Sequence, residues 1–382
     1  MKETEAIKQH NTVDTDRRRV VKTGAALSAA SMLPLAMTVS TSQASHVNDE
    51  LSTQIEHTHS KEGRETMSIN TVRYKYENDI HWGVVKGDNI IPVPGQYATT
   101  GDFINAVSVA DLKMIEGSTI ALKDVMILSP ITQNQRFVCQ GANYRRHMIE
   151  SGMNPEDKNF NMIFTKSSSS MAPHNTDIVR PSVSKLLDYE VELGVVLKAP
   201  ITGAVTINSS NLHEYVAGVV IVNDITARDV QIPQMQFYKG KSFRTFGPIG
   251  PFLCLMDKQD LHYMDKLQLT LKVNGEVRQN DSSGDMVYRP ADTLTELSSV
   301  HDFDTGDLLA TGTPAGCALT VPSPAKQKLA AMIPEAIKWK LFLKMQGEST
   351  QYLQPGDSIE TTIRSSDGVI DLGKQSNAVV QG

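Results

Sequence analysis

The chain contains 382 residues, of which 40% are hydrophobic, 21% charged and 6% aromatic. This composition excludes a collagen, a coiled-coil rod, a disulfide scaffold and a wholly disordered protein, and the length suits about two to three domains. The net charge of −6 argues against a general nucleic-acid binder. Cys139, Cys254 and Cys317 are too widely spaced for a zinc knuckle. No stretch of ~20 uninterrupted apolar residues occurs, which excludes a multi-span membrane protein.

The first 44 residues have the order of an export signal. A cationic run from Arg17 to Lys22 precedes an Ala-rich, weakly apolar stretch from Thr23 to Val39, and Ser42-Gln43-Ala44 provides a small-x-small cleavage pattern. The paired arginines, followed by apolar residues and a lysine, resemble a twin-arginine signal. We expect cleavage after Ala44, export of the folded protein to the periplasm and no membrane span in the mature chain. A frayed amphipathic helix is the alternative.

A polar segment separates this signal from the first predicted strands. Residues 45–68 are interpreted as a linker, because they are rich in Ser, Thr, Glu, Lys and His. Alternation of apolar and polar residues over Thr71–Tyr76 and Ile80–Val85 then predicts a β-hairpin. We expect this small region, residues 69–130, to end near Pro130.

The rest of the chain, residues 131–382, is rich in predicted strands. Leu267–Val273 alternates and leads into Asn274-Gly275, which predicts a type I′ hairpin. Phe303–Leu309 and Leu353–Ile359 each predict a turn followed by a strand, while Ala325 to Met345 has helical character. No glycine-rich phosphate-binding loop occurs, so a nucleotide cofactor is not expected.

Two acidic segments are the strongest functional signal. In the predicted strand Asp188–Leu197, Glu190 and Glu192 lie on the same side, since side chains alternate along a strand. The apolar run Tyr215–Val222 ends in Asn223-Asp224, and a carboxylate there is costly to bury unless it is paired or binds a cation. Three such carboxylates favour Mg²⁺ or Mn²⁺. Acids on a solvent-exposed strand face are the alternative.

A second signal is the pair formed by His147 and Glu150. Three residues apart, they would share one face of a helix, where the carboxylate could orient the imidazole and raise its basicity. A general base acting near neutral pH needs this arrangement. The same spacing also fits an ordinary surface hydrogen bond.

Six motifs occur in order over about residues 137–371 and resemble the fumarylacetoacetate hydrolase family. They are Asn143-Tyr144-x-x-His147, Tyr189-Glu190-x-Glu192-Leu193, Asn223-Asp224-x-x-Ala227-Arg228-Asp229-x-Gln231, Gly240-Lys241-Ser242-Phe243, Asn274-Gly275-Glu276-x-Arg278-Gln279 and Gly312-Thr313-Pro314-x-Gly316. The resemblance implies a mainly β (α+β) fold, a mixed β-roll or sandwich, in which residues 131–382 form the catalytic domain and residues 69–130 a small N-terminal β domain. It also implies a homodimer.

The resemblance also implies roles for individual residues. Glu190, Glu192 and Asp224 match metal ligands, and His147 with Glu150 matches the pair that activates water or moves a proton. Substrate contact or stabilisation of negative charge is implied for Arg228, Gln231, Lys241 and Thr313, with Lys241 also counted as catalytic. Two departures stand out: Arg244 occupies a position usually acidic in the family, and the stretch from Cys317 to Tyr352 is longer than the usual connection.

The predicted function is metal-dependent hydrolysis of a C–C bond in an acylpyruvate-like diketo acid. A divalent cation would polarise the oxo acid as a Lewis acid, and a nearby lysine would stabilise an enolate. The same residues would serve an isomerase or decarboxylase of a 2-oxo or 2-hydroxymuconate-type diacid. A non-catalytic exported binding protein with this fold is a further alternative.

Overall fold

A computed structural model describes residue 66 and residues 68–157, 160–234, 236–321 and 332–382. The predicted signal over residues 1–44, nearly all of the predicted linker over 45–68 and residues 322–331 lie outside the described residues. Strands dominate the remainder and combine with short helices, which confirms the predicted mainly β (α+β) fold.

The strands alternate with short helices along the chain. The strands are β1 (Ile69–Tyr76), β2 (Asp79–Lys86), β3 (Asn89–Pro92), β4 (Ile120–Ala121), β5 (Met126–Ile127), β6 (Phe137–Gly141), β7 (Met162–Thr165), β8 (Met171–Pro173), β9 (Ile178–Arg180), β10 (Leu187–Asp188), β11 (Val191–Leu197), β12 (Val216–Asn223), β13 (Thr226–Ala227), β14 (Gly247–Ile249), β15 (Leu253–Leu255), β16 (Leu267–Val273), β17 (Glu276–Ser282), β18 (Leu308–Ala310), β19 (Ser358–Ser365) and β20 (Asp371–Gln381). The α-helices of the described residues are α1 (Thr100–Ala106), α2 (Val109–Lys113), α3 (Arg145–Glu150), α4 (Leu212–Tyr215), α5 (Arg228–Gln234), α6 (Phe237–Lys241), α7 (Pro290–Ser298) and α8 (Glu335–Gly347). Single turns of 3-10 helix cover Leu122–Asp124, Pro155–Asp157, Ser168–Ser170, Leu261–Asp265 and Ser283–Asp285.

The main sheet of the described residues has its strands in the order β4-β3-β2-β1-β15-β12-β11-β18-β6-β7. Its first hairpin pairs Tyr76 with Asp79, which confirms the hairpin predicted over Thr71–Val85. The pairing of β1 with β15 joins this hairpin directly to the strands of the chain's second half. The sheet therefore runs across residue 130, and a domain boundary there stays a prediction.

Strands β11 and β12 lie in the middle of the main sheet, and every residue of both is buried. A strand that is covered on both faces of its sheet is expected to be apolar along its whole length. Gly218 lets β12 approach its neighbour, since a Cβ at this position would lie 2.0 Å from the carbonyl oxygen of Cys254. The two carboxylate-bearing segments are thus placed side by side in the core.

A five-stranded sheet packs beside the first, in the order β17-β16-β19-β20-β9 within the described residues. Asn274 and Gly275 both have positive φ angles, 52° and 82°, at the turn between β16 and β17. A type I′ turn needs positive φ at both central residues, so the structure confirms the predicted hairpin.

Two turns of similar sequence precede β18 and β19. The carboxylate of Asp307 accepts from the backbone N–H of Asp304 at 2.8 Å, and Asp357 accepts from Gln354 at 2.7 Å. The aspartate closes its own turn in each case, because its side chain reaches the backbone three residues earlier. The two predicted turn–strand units are confirmed.

Helix α8 begins within the region predicted as helical, Ala325 to Met345, and ends two residues beyond it. The first part of that prediction falls on residues 322–331, outside the described part of the chain. None of the helices in the described residues combines the length and the apolar character that crossing a bilayer requires.

Candidate active site

The three carboxylates singled out in the sequence come together at one end of the central strands. Glu190 precedes β11, Glu192 lies within it and Asp224 follows β12, where Val191 pairs with Asn223. The backbone N–H of Asp224 donates to the carbonyl oxygen of Glu190 at 2.8 Å. All three side chains are buried, and one carboxylate oxygen from each lies within 4.8 Å of the others.

Two lysines form ion pairs with this carboxylate cluster, and one of them, Lys166, was not among the site residues predicted from the sequence. Lys241, at the end of α6, donates to Glu190 and Asp224 at 2.6 Å each and to the Thr226 hydroxyl at 2.8 Å. Lys166 follows β7, donates to the other oxygen of Asp224 and donates to the carbonyl oxygen of Phe246 at 2.8 Å. Its sequence signal is a lysine directly after a short apolar strand, the same pattern as Asp224 after β12.

The charged neighbours and burial shift the pKa values of the cluster's side chains in different directions. Burial alone would raise the pKa of Glu190, but Arg228 and Lys241 outweigh it and hold this pKa at about 2. Burial, with the charges of Asp224 and Glu190, raises the pKa of Glu192 well above its ordinary value. Burial would lower the pKa of Lys241, but Asp224 and Glu190 raise it instead, so Lys241 stays charged.

Arg228 lies at the start of α5 and links the cluster to a fourth carboxylate, Asp188. Its Nε donates to Asp188 at 2.8 Å, one Nη donates to Glu190 and the other donates to Gln231 at 2.9 Å. Asp188 also accepts from the backbone N–H of Ala318 at 2.8 Å. Asp188 was not among the predicted site residues, although it begins the predicted strand Asp188–Leu197 that carries Glu190.

The Gly312–Gly316 loop closes one side of the cluster. The backbone N–H of Gly312, which has a φ of +87°, donates to Glu192 at 3.0 Å. Thr313 donates to the carbonyl oxygen of Val191 at 2.9 Å and accepts from Gln279 at the same distance. Thr313 thus anchors the loop to strand β11, beside the carboxylates.

His147 and Glu150 lie on α3, as predicted, but no hydrogen bond joins them in the described structure. Glu150 instead accepts from the backbone N–H of Gly316 at 2.9 Å. Nδ1 of His147 lies 4.0 Å from the sulfur of Cys317, a residue for which no role was predicted from the sequence. Burial lowers the pKa of His147, and the charge of Glu190 partly offsets this effect, so the imidazole is neutral near pH 7.

The cluster suits a hard divalent cation. Glu190, Glu192 and Asp224 offer oxygen ligands, as Mg²⁺ and Mn²⁺ prefer. Burial, with the charges of Asp224 and Glu190, disfavours the ionised form of Glu192, and a bound cation would stabilise that form. When bound, such an ion would polarise carbonyl and carboxylate oxygens of a ligand as a Lewis acid.

Together these features define a class: mixed β proteins with a carboxylate cluster, backed by buried lysines and arginine, at the ends of central strands. The family model for the C-terminal part of fumarylacetoacetate hydrolase matches residues 136–380, well over half of the chain. The chain belongs to the fumarylacetoacetate hydrolase family, as the motifs predicted.

Several characterised or solved relatives share this similarity. The chain is 38% identical to the oxaloacetate tautomerase YisK of Bacillus subtilis over 199 residues, which is 51% of this chain and 64% of the tautomerase. A fumarylacetoacetate hydrolase from Exiguobacterium antarcticum is 26% identical, with a TM-score of 0.62, over 82% of this chain and all of that one. A probable 2-hydroxyhepta-2,4-diene-1,7-dioate isomerase from Mycobacterium abscessus is 27% identical, with a TM-score of 0.61, over 83% and 99% of the two chains. All three of these relatives are named as enzymes.

Proposed function

We propose that this protein is a divalent-metal-dependent enzyme that interconverts the enol and keto forms of a small 2-oxo dicarboxylic acid of the oxaloacetate type. The observation that carries the proposal is the cluster of Glu190, Glu192 and Asp224 with the charged ammonium of Lys241 set against it. Similarity to the B. subtilis tautomerase supports the substrate class.

The chain's own residues suit an enolate. Lys241 is buried and permanently charged, so it would stabilise negative charge on the substrate rather than remove a proton. His147 is a neutral imidazole that feels the charge of Glu190, and it would take the proton from the enol oxygen and deliver one to the enol carbon that does not bear that oxygen. Glu190, Glu192 and Asp224 would hold Mg²⁺ or Mn²⁺, and the reaction neither gains nor loses atoms.

Hydrolysis of an acylpyruvate C–C bond is the second candidate. The presence of both His147 and Glu150 on α3 favours it, because water attack on a carbonyl needs an activated base. The structural similarity to the E. antarcticum hydrolase also supports it. In the described structure Glu150 is hydrogen-bonded to Gly316 and not to His147, which is why enol–keto interconversion is placed first.

The test is turnover by the purified chain with Mg²⁺ or Mn²⁺. Decay of enol oxaloacetate is followed by ultraviolet absorbance, and pyruvate release from oxaloacetate or acetylpyruvate is followed by a coupled NADH assay. We expect faster enol decay without pyruvate release, lost in His147→Ala and Lys241→Met. Pyruvate from acetylpyruvate would favour hydrolysis, pyruvate from oxaloacetate would favour decarboxylation, and no turnover of any of them would support a binding protein.

We further propose that the chain is exported by twin-arginine translocation and works as a periplasmic homodimer. The signal pattern around Arg17–Lys22 supports the first part, and family membership supports the second. N-terminal sequencing of the secreted form should begin at Ser45, and a chain still beginning at Met1 would contradict export. Analytical ultracentrifugation of the full chain should give twice the monomer mass.

A further inference from the structure

Helix α8 carries many apolar side chains that the protein body does not bury. None of its described residues belongs to a hydrophobic core cluster. Ile337, Leu341 and Met345 are exposed by 52%, 46% and 47%. These three residues are spaced four apart, so they lie one above the other on the helix. They form a continuous apolar ridge, which we call the outer ridge.

The opposite side of α8 attaches the helix to the body. Gln346 is buried, donates to the carbonyl oxygen of Thr320 at 2.7 Å and accepts from the hydroxyl of Tyr352 at 2.7 Å. Trp339 and Phe342 pack edge to face, with ring centroids 5.8 Å apart, and are half-buried. Because Gln346 fixes the C-terminal end of α8, the outer ridge faces away from the protein.

Lysines flank the outer ridge. Each residue of the outer ridge has a lysine next to it in the sequence: Lys338 after Ile337, Lys340 before Leu341 and Lys344 before Met345. Because successive residues are 100° apart on a helix, each of these lysines lies to the side of its apolar neighbour. The helix contains a single acid, Glu335, whereas the whole chain has a net charge of −6. Helix α8 is thus a local basic and apolar surface on an acidic protein.

We propose that α8 docks on the surface of a membrane containing anionic phospholipid, with the outer ridge in the headgroup layer and the lysines on the phosphates. Exposed apolar side chains with neighbouring lysines suit the membrane interface, where burial and attraction to anionic lipid add. A second copy of the chain fits poorly, because ridge-to-ridge packing would bring the two sets of lysines together. The proposal does not depend on the reaction catalysed.

The test is co-sedimentation of the full chain with vesicles of equal parts phosphatidylglycerol and phosphatidylcholine. We expect binding to these vesicles, little binding to phosphatidylcholine alone, and release at about 1 M salt, where charges are screened within ~3 Å. The triple variant Lys338→Gln/Lys340→Gln/Lys344→Gln should bind about a hundredfold more weakly, since each lysine contributes a severalfold gain at an anionic surface. Leu341→Ser should also weaken binding.

A matched control removes three exposed lysines elsewhere, Lys75→Gln/Lys123→Gln/Lys258→Gln, and should bind like the parent. Every variant keeps Arg17–Lys22, so binding through the N-terminus would survive the α8 substitutions. That result, or no binding by the parent, overturns the proposal. So does a dimer that Leu341→Ser dissociates while vesicle binding is unchanged. Circular dichroism and turnover check that the variants fold.

Discussion

Glu150 accepts a hydrogen bond from the backbone N–H of Gly316 at 2.9 Å, so the carboxylate predicted to orient His147 holds the Gly312–Gly316 loop instead. Gly316 has a φ of +101°, and a Cβ there would lie 2.1 Å from the carbonyl oxygen of Arg278. This end of the loop therefore requires a glycine at Gly316, and the side chain of Glu150 on α3 holds it in place. This contact leads to the first prediction.

Glu150→Gln should retain most of the activity, because the amide oxygen can still accept from Gly316. Glu150→Ala should lower kcat/KM by about fivefold, since the loop loses one hydrogen bond of about 1 kcal/mol. Steady-state kinetics on the active substrate measure both variants. If Glu150→Gln is as inactive as His147→Ala, Glu150 acts on the imidazole through its charge, and the contact with Gly316 is secondary.

The imidazole of His147 should set the acidic limb of the pH–rate profile. Burial lowers the pKa of His147 below its ordinary value of 6.5, so the imidazole loses its neutral form only at a pH below 6.5. We expect kcat/KM for a substrate without ionisations in this range to fall on the acid side with a midpoint below 6.5. A midpoint above 6.5 would contradict the assignment.

His174 should make the protein less stable in mild acid. Burial lowers its pKa from 6.5 to about 4, so between these values the unfolded chain binds a proton that the folded chain does not. Stability is therefore retained above pH 6.5 and falls by about 2 kcal/mol as the pH drops towards 4, allowing for the partial exposure of the ring. Urea unfolding at pH 7 and 4.5 measures the loss, and His174→Gln should show less of it. An equal loss in the variant would assign the effect to other groups.

Glu192→Gln should stabilise the metal-free protein and abolish its response to Mg²⁺. The raised pKa of Glu192 reflects burial of its charge first and repulsion by Asp224 and Glu190 second, and the amide removes that charge while still accepting from Gly312. We expect Tm in EDTA to rise by about 1–2 °C, corresponding to about 1 kcal/mol. Mg²⁺ should raise Tm of the parent but not of Glu192→Gln or Glu190→Ala. An equal Mg²⁺ effect in parent and variants would refute the ligand assignment.

Lys166→Met should lower the free energy of unfolding by about 3 kcal/mol in EDTA. The substitution leaves the fully buried Asp224 without one of its two lysines, and removing one partner of a buried ion pair is strongly destabilising. The double variant Lys166→Met/Asp224→Asn should recover part of this loss, because the uncompensated charge is gone. Additive effects of the two substitutions would show that the pair is not coupled.

Local patterns predicted much of the fold. Alternating strands, the Asn274-Gly275 turn and the aspartate-closed turns depend on residues a few positions apart, and the structure confirms them. The grouping of Glu190, Glu192 and Asp224 was predicted as well, since a strand places alternate residues on one side and a buried apolar run marks its neighbour. The six ordered motifs likewise predicted the family that the comparison confirms.

The sequence by itself thus determined the local elements, the acidic residues of the site and the family. Only the tertiary structure decided which cations meet those acids: Lys166 is 58 residues from Asp224 in sequence, and no local period links them. It also decided that Glu150 contacts Gly316, 166 residues away, rather than its neighbour His147. Side-chain direction follows from local backbone geometry, whereas long-range partners depend on how the strands and loops pack around a buried charge that must be satisfied.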